Sequence, residues 1–299
     1  MLIRAATRGS PLARWQTEHV AALLRAVDPT IEVEPVVVTT TADRRLDVPI
    51  AQMGGKGVFV KEVQAAVLDG RADIAVHSAK DLPSTTHPDL QIAAVPERGD
   101  PRDALVGAAL ADLRSGAHVA TGSARRLAQL AHTRPGLVFS PLRGSIATRL
   151  EKAADFDAIV VAYAALVRLG IPERATEVLD PDVMLPQVGQ GALAVECRAD
   201  DDLAGVLRLV EHAPSRRAVD AERAFLAELG GDCDLPAGAY AVLVGDDHDV
   251  VRVDAMVASP DGASLLRERV EARDGVAAAR SAARRLLDDR GGSALLPER

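Results

Sequence analysis

Two hydrophobic periods alternate along the first hundred residues, and this alternation restricts the fold more than any other feature. Leu2–Thr7, Ile31–Thr40 and Ala72–Val76 are strand-type apolar runs. Between them, Pro11–Val27 carries Leu12, Trp15, Val20, Leu23 and Leu24 at helical spacing, and Val58–Leu68 is a second helical stretch. Strands that alternate with helices lie parallel, because each helix carries the chain back across the sheet. The pattern predicts an α/β unit of parallel strands and crossover helices. It breaks at Pro96–Asp103, where two Pro, one Gly and five charges read as a linker. It then resumes as a second α/β unit: strand His118–Thr121, helix Ala124–Ala131, strand Leu137–Leu142, helix Ile146–Ala153 and strand Asp157–Ala162. A further break at Pro181–Gly191 precedes the strand Ala192–Cys197. The remainder reads as a small α+β domain, with helix Ala218–Leu229, hairpin strands Tyr240–Val244 and Val250–Ala258, and helix Val276–Leu287.

Composition removes several function classes. Only four Phe, two Tyr and one Trp are present and the net charge is −8, which disfavours binding to nucleic acid by base stacking or by charge. Two cysteines, Cys197 and Cys233, cannot build a four-Cys metal site or a disulfide framework, so a reducing, cytoplasmic setting is expected and no metal is. Met1–Ser10 has no apolar run of the kind an export signal needs, and no apolar stretch is long enough to span a membrane.

The chemistry concentrates at strand-to-helix turns. Arg8-Gly9-Ser10, Thr121-Gly122-Ser123 and Arg143-Gly144-Ser145 each combine Gly for the turn with Ser for a helix cap, and Gly54-Gly55-Lys56-Gly57 precedes Val58. Such turns bind anions through exposed N–H groups and the helix dipole, although any α/β fold also uses them as plain caps. From Arg114 to Leu150 there are six Arg and no Asp or Glu. Arg125 and Arg126 fall in the first turn of a helix, against the dipole, so they need an anionic partner, either a ligand or acids of other segments. Lys80 and Asp81 follow the strand Ala72–Val76, at the strand end where α/β sheets hold ligands; taken alone they equally read as a structural ion pair. Cys233 lies in a Gly-, Asp- and Pro-rich loop and is accessible, whereas Cys197 sits in an apolar strand and is expected to be inert. Gly189–Ala194 leads into a strand and so is not a dinucleotide fingerprint, and Gly55-Lys56-Gly57 lacks the Ser or Thr of a P-loop.

Together these segments resemble the porphobilinogen deaminase (hydroxymethylbilane synthase) family. The resemblance rests on Ala6–Ala13, Gly54–Glu62, Ala72–Pro83, Asp100–Ala104, Ser123–Arg126, Leu142–Gly144, Thr148–Leu150, Arg168–Gly170, Leu185–Ala192 and the Cys233 loop. It implies two α/β domains like those of type II periplasmic binding proteins with a crevice between them, hinged near 97–103 and 187–192. Domain 1 is expected over 1–97 with 191–210 and domain 2 over 98–190. A C-terminal α+β domain carrying the cofactor cysteine is expected over 211–299.

The implied activity is head-to-tail condensation of four porphobilinogen molecules with release of ammonia, on a dipyrromethane cofactor joined by a thioether to Cys233. The resemblance implies Asp81 as the catalytic carboxylate. It implies Lys80, Asp81, Thr121, Ser123, Arg125, Arg126, Arg143 and Gly144 around the cofactor, and Arg8, Ser10, Lys56, Phe59, Arg149, Arg168 and Gln190 around the substrate. It also implies a monomer without nucleic-acid or membrane partners. Three positions depart from the family pattern: Gln52, often Lys; Gly122, more usually Ser; and Asp232, commonly Gly. Those departures leave a divergent non-catalytic paralogue as one alternative, and a receptor for anionic solutes is the other.

Overall fold

Ser10 ends the first strand and starts the first helix: its Oγ accepts from the Ala13 N–H at 3.2 Å, and Pro11 takes the first helical position, where no N–H is needed. The computed structural model describes residues 1–40, 60–231, 234–245 and 247–296. Its strands, in chain order, are β1 (Leu2–Arg8), β2 (Glu32–Val38), β3 (Ile74–Ser78), β4 (Leu90–Ala94), β5 (Asp103–Gly107), β6 (His118–Ala120), β7 (Val138–Ser140), β8 (Ala158–Ala162), β9 (Glu177–Val178), β10 (Leu193–Arg198), β11 (Ala237–Val244), β12 (Val250–Ala258) and β13 (Leu265–Ala272). The described α-helices are α1 (Pro11–Val27), α2 (Lys61–Leu68), α3 (Ala124–Thr133), α4 (Ile146–Glu151), α5 (Tyr163–Arg168), α6 (Leu203–Leu207), α7 (Ala213–Glu228) and α8 (Gly275–Arg284). The chain divides into two compact units, Met1–Gly99 with Ala192–Arg216, and Asp100–Gly191 with Arg217–Arg299.

In the first unit the sheet order is β2-β1-β3-β10-β4. Strand β1 pairs in parallel with β2 and β3, as the alternation predicts. Side chains of β1 alternate between two cores: Ile3 and Ala5 pack with Val20 and Leu24 of α1, while Ala6 packs with Val63 and Val67 of α2. Both faces of the sheet are therefore covered, as a parallel sheet requires. Strand β10, however, runs antiparallel to β3 and β4. It enters from the irregular 186–191 segment and not from a crossover helix.

The second unit repeats the plan with order β7-β6-β8-β5-β9. Strands β6, β7 and β8 are parallel, and β5 is antiparallel to β8 and β9. Two of the crossings between units, after Gly99 and after Gly191, are followed by the antiparallel strand of the sheet entered. The linker expected at Pro96–Asp103 therefore ends sooner than its charge implies, because Asp103 already begins β5. The same unit holds the antiparallel sheet β11-β12-β13, packed on α7 and α8 around Phe225, Leu229, Val253 and Ala282. Helix α7 starts at Ala213, five residues before the predicted start, because Pro214 is tolerated in a first turn. No described helix is long and apolar enough to cross a membrane.

Candidate active site

In the first unit the ends of β1 and β3 bring Arg8, Ser10 and Asp81 around one cavity, with Lys80 next to Asp81 in the chain. Strand β3 runs into a single 3-10 turn, Ala79–Asp81, that carries Lys80 and Asp81, both half-buried. Three bonds hold this corner: Gln16 Nε2 donates to Ser78 Oγ at 2.8 Å, the Ala79 N–H to the Ala192 carbonyl at 3.0 Å, and the Leu82 N–H to the Ala79 carbonyl at 3.3 Å. Beside it lies a cavity of about 60 Å³, lined among others by Arg8, Ser10, Gln16, His77, Ser78 and Asp81. Ligand pockets begin near about 300 Å³, so this cavity by itself is too small to enclose a whole ligand. The first turn of α1 holds no acidic residue, and Arg8 lies beside it, so an anion is favoured there. Asp81 is the carboxylate among the residues that line it.

In the second unit the missing partner of Arg125 and Arg126 is Asp103. Ser123 caps α3, its Oγ accepting from the Arg126 N–H at 3.4 Å, and its own N–H donates to Thr121 Oγ1 at 3.2 Å. Arg125 is 1% exposed and Asp103 0%. Arg125 Nη2 donates to Asp103 Oδ2 at 2.7 Å, while Arg126 donates to Oδ1 through Nη2 at 2.7 Å and Nε at 3.0 Å. Gln190 Nε2 adds a bond to the same Oδ1 at 2.8 Å and another to the Pro101 carbonyl at 2.7 Å. Burial by itself would raise the Asp103 pKa, but the two guanidinium charges and the Gln190 bond outweigh it and hold the carboxyl down at about 2. Burial pushes the Arg125 guanidinium down, against the pull of Asp103. Two cations on one anion leave the cluster one positive charge in excess. Arg125 Nε is buried with no hydrogen-bond partner among the described residues, although Nη1 bonds the Leu185 carbonyl.

The remaining basic residues divide between turns and carbonyls. Gly144 has φ +110°, and a side-chain carbon there would lie 3.0 Å from Thr148, so the turn that carries Arg143 needs glycine. Arg143 and Arg149 are half-buried, and Arg149 Nε donates to the Gly144 carbonyl at 3.0 Å. Arg168 donates to the Gly191 carbonyl at 2.6 Å. Burial lowers its pKa to about 10, which leaves it charged at neutral pH. Arg134, part of the same basic run, instead donates to the carbonyls of Ala111 and Leu113. Cys197 is fully buried and its thiol is pushed up to about 11, chiefly by burial, which accounts for its expected inertness. Lys56, Phe59, Cys233 and the departures Gln52 and Asp232 lie outside the described residues.

Two family models match the sequence: "Porphobilinogen deaminase, dipyromethane cofactor binding domain" over residues 3–205 and "Porphobilinogen deaminase, C-terminal domain" over 217–288. The chain belongs to the porphobilinogen deaminase family. A porphobilinogen deaminase of Acidothermus cellulolyticus is 48% identical over 89% of this chain and 82% of its own. One of Roseiflexus castenholzii is 46% identical over 97% of each. Among solved structures, a nutrient binding protein from Burkholderia cenocepacia bound to methionine covers 72% of this chain and 93% of its own, at 16% identity and a TM-score of 0.43.

Within the family pattern, Gly122 now has a local reason. A side-chain carbon at Gly122 would sit 2.7 Å from the Leu142 carbonyl oxygen, closer than such contacts tolerate. Gly122→Ser, which restores the commoner family residue, is expected to push back the Leu142 backbone and cost about 1–3 kcal/mol, read as a lower urea midpoint. An unchanged midpoint would show that the turn relaxes freely. Sequence reasoning missed Asp103, because an acid inside Asp100-Pro-Arg-Asp103 reads as solvated linker. The one available signal was the run Ala104-Leu-Val106 directly after it.

Proposed function

We propose that this chain acts as a hydroxymethylbilane synthase, condensing four porphobilinogen molecules head to tail with loss of ammonia and releasing the linear tetrapyrrole. The observation that carries this reading is Asp81, set on the corner after β3 beside Arg8 and the α1 N-terminus, in a chain of this family. Each porphobilinogen carries an acetate and a propionate, so a cofactor of two rings with four substrate rings presents about a dozen carboxylates. Carboxylates taken out of water need charged or N–H partners.

The donor set suits a cofactor of this kind. Arg125 and Arg126 hold one positive charge beyond what Asp103 cancels, and Arg125 keeps a buried Nε without a partner among the described residues. In this reading Lys80, Thr121, Ser123, Arg125, Arg126, Arg143 and Gly144 hold the dipyrromethane carboxylates, with Cys233 its covalent anchor. Arg8, Ser10, Arg149, Arg168 and Gln190 meet the substrate side arms, together with Lys56 and Phe59. When bound, the cofactor supplies the pyrrole α-carbon from which the chain grows. Asp81 would face the pyrrole N–H groups and would stabilise the positive charge that develops as ammonia leaves. Lys80 and the arginines fix ring positions through the carboxylates, which sets the reacting carbons in line. The reading includes a cytoplasmic monomer; the pair of cysteines, one of them a buried thiol, supports the reducing compartment.

Cys233→Ser is expected to remove the dipyrromethane adduct, measured as the intact mass of freshly purified protein and as loss of the red colour with Ehrlich's reagent. An adduct of unchanged mass on the variant would reject Cys233 as the anchor. A wild-type protein without adduct that fails to consume porphobilinogen would reject the activity.

A further inference from the structure

Beneath the Asp81 corner lies a buried polar group that the proposed reaction does not use. Ala194 of β10 pairs with His77 of β3, so Glu196, two residues on, lies diagonal to His77 on the same face of the sheet. Their side chains are 1% and 4% exposed, and Glu196 Oε2 stands 3.0 Å from His77 Nε2 in an off-line geometry. Gln64 Nε2, from α2, donates to the same Oε2 at 2.9 Å. His77 also lines the cavity that holds Asp81, and only Ser78 separates it from the 3-10 turn Ala79–Asp81. A carboxylate buried this far survives only where donors converge on it, and a negative charge 3.0 Å from one ring nitrogen biases the tautomer of an imidazole through its field. Ring, carboxylate and amide come from three elements, β3, β10 and α2, so together they tie the end of β3 to its surroundings.

We infer that Glu196, acting through His77, is a positioning residue that holds the wall and corner on which Asp81 sits. This rests on the reading of Asp81 given above. Its negative charge orients the His77 ring, and the ring edge sets how closely Asp81 and a substrate pyrrole approach. Turnover therefore depends on the Glu196–His77 pair, while cofactor attachment does not.

The test uses the holoenzyme. Glu196→Gln keeps size and a hydrogen bond to Gln64 but removes the charge. The expected result is a kcat lowered about tenfold with KM within twofold, since small misplacements at a reacting centre carry losses of that order. The intact mass should still show the full adduct. A His77 ring 15N spectrum, assigned by its loss in His77→Phe, should show a changed tautomer in Glu196→Gln. Because loss of a buried charge can disturb folding, His77→Gln and His77→Phe provide a second comparison. An amide N–H at 77 can replace the imidazole N–H, so His77→Gln should retain most of kcat while His77→Phe falls as far as Glu196→Gln. Wild-type kcat in Glu196→Gln, or a ranking in which the phenylalanine variant is the more active, would overturn the inference and leave the pair a packing element. Asp81→Ala, run in parallel, separates the two readings: if it turns over normally, the Asp81 assignment fails first.

Discussion

Asp103→Ala is expected to remove about 3–5 kcal/mol from the stability of the second unit, the loss seen when a buried ion pair is broken from one side. The variant strands two guanidinium groups: Arg125, 1% exposed, and Arg126, 6% exposed, each lose the only carboxylate they touch among the described residues. Gln190 loses an acceptor as well, and with it part of the tie to the Pro101 carbonyl. Urea unfolding followed by far-UV circular dichroism measures the change. A midpoint shift worth less than about 1 kcal/mol would mean that the arginines find other partners or water.

The same carboxyl predicts a pH dependence. Its folded pKa, about 2, lies below its ordinary value of 3.8, so the folded state prefers the ionised form. The resulting stability, on the order of 2 kcal/mol, is complete above pH 4 and lost as pH falls from there through 2. Asp103→Asn should flatten that part of the stability–pH curve relative to wild type. Parallel curves for the two proteins would assign the acid transition to other carboxylates.

Asp81→Ala is expected to lower kcat by about 100- to 1000-fold, the range found when one preorganised stabilising group is removed from a reacting charge. Asp81 is half-buried on a short 3-10 turn, and the backbone bonds of that corner, from Ala79 to Ala192 and from Leu82 to Ala79, do not involve its side chain. The fold and the adduct should therefore persist, which intact mass and the urea midpoint check alongside the rate of porphobilinogen consumption. A normal rate in folded, adduct-bearing Asp81→Ala would reject the carboxylate as the group that stabilises the developing cation.

Much of the site was legible because local chemistry fixes it. Ser10 and Ser123 are helix caps whatever surrounds them, since a helix leaves its first N–H groups unpaired and Ser is short enough to reach back. Glycine at 144 follows equally from the turn itself. The alternation of periods gave α1 with its observed ends and placed β1, β6 and β8 within two residues, because the period of burial is a property of each segment. Strand β13 stayed hidden because its Leu-Leu-Arg-Glu-Arg-Val-Glu-Ala sequence is charged and mostly half-buried at a sheet edge, where alternation carries little contrast.

The sequence by itself determined that Arg125 and Arg126 need an anion, because two cations at a helix N-terminus oppose its dipole. Only the tertiary structure decided that Asp103 is one, since β5 brings it to α3 from more than twenty residues away. The antiparallel course of β10, and with it the Glu196–His77 contact, was likewise settled by how the chain re-enters its first sheet. Caps, turns and periodicity are short-range and can be read along the chain. The partner of a buried charge is chosen by whichever elements pack together, and that choice leaves no mark near the residue itself.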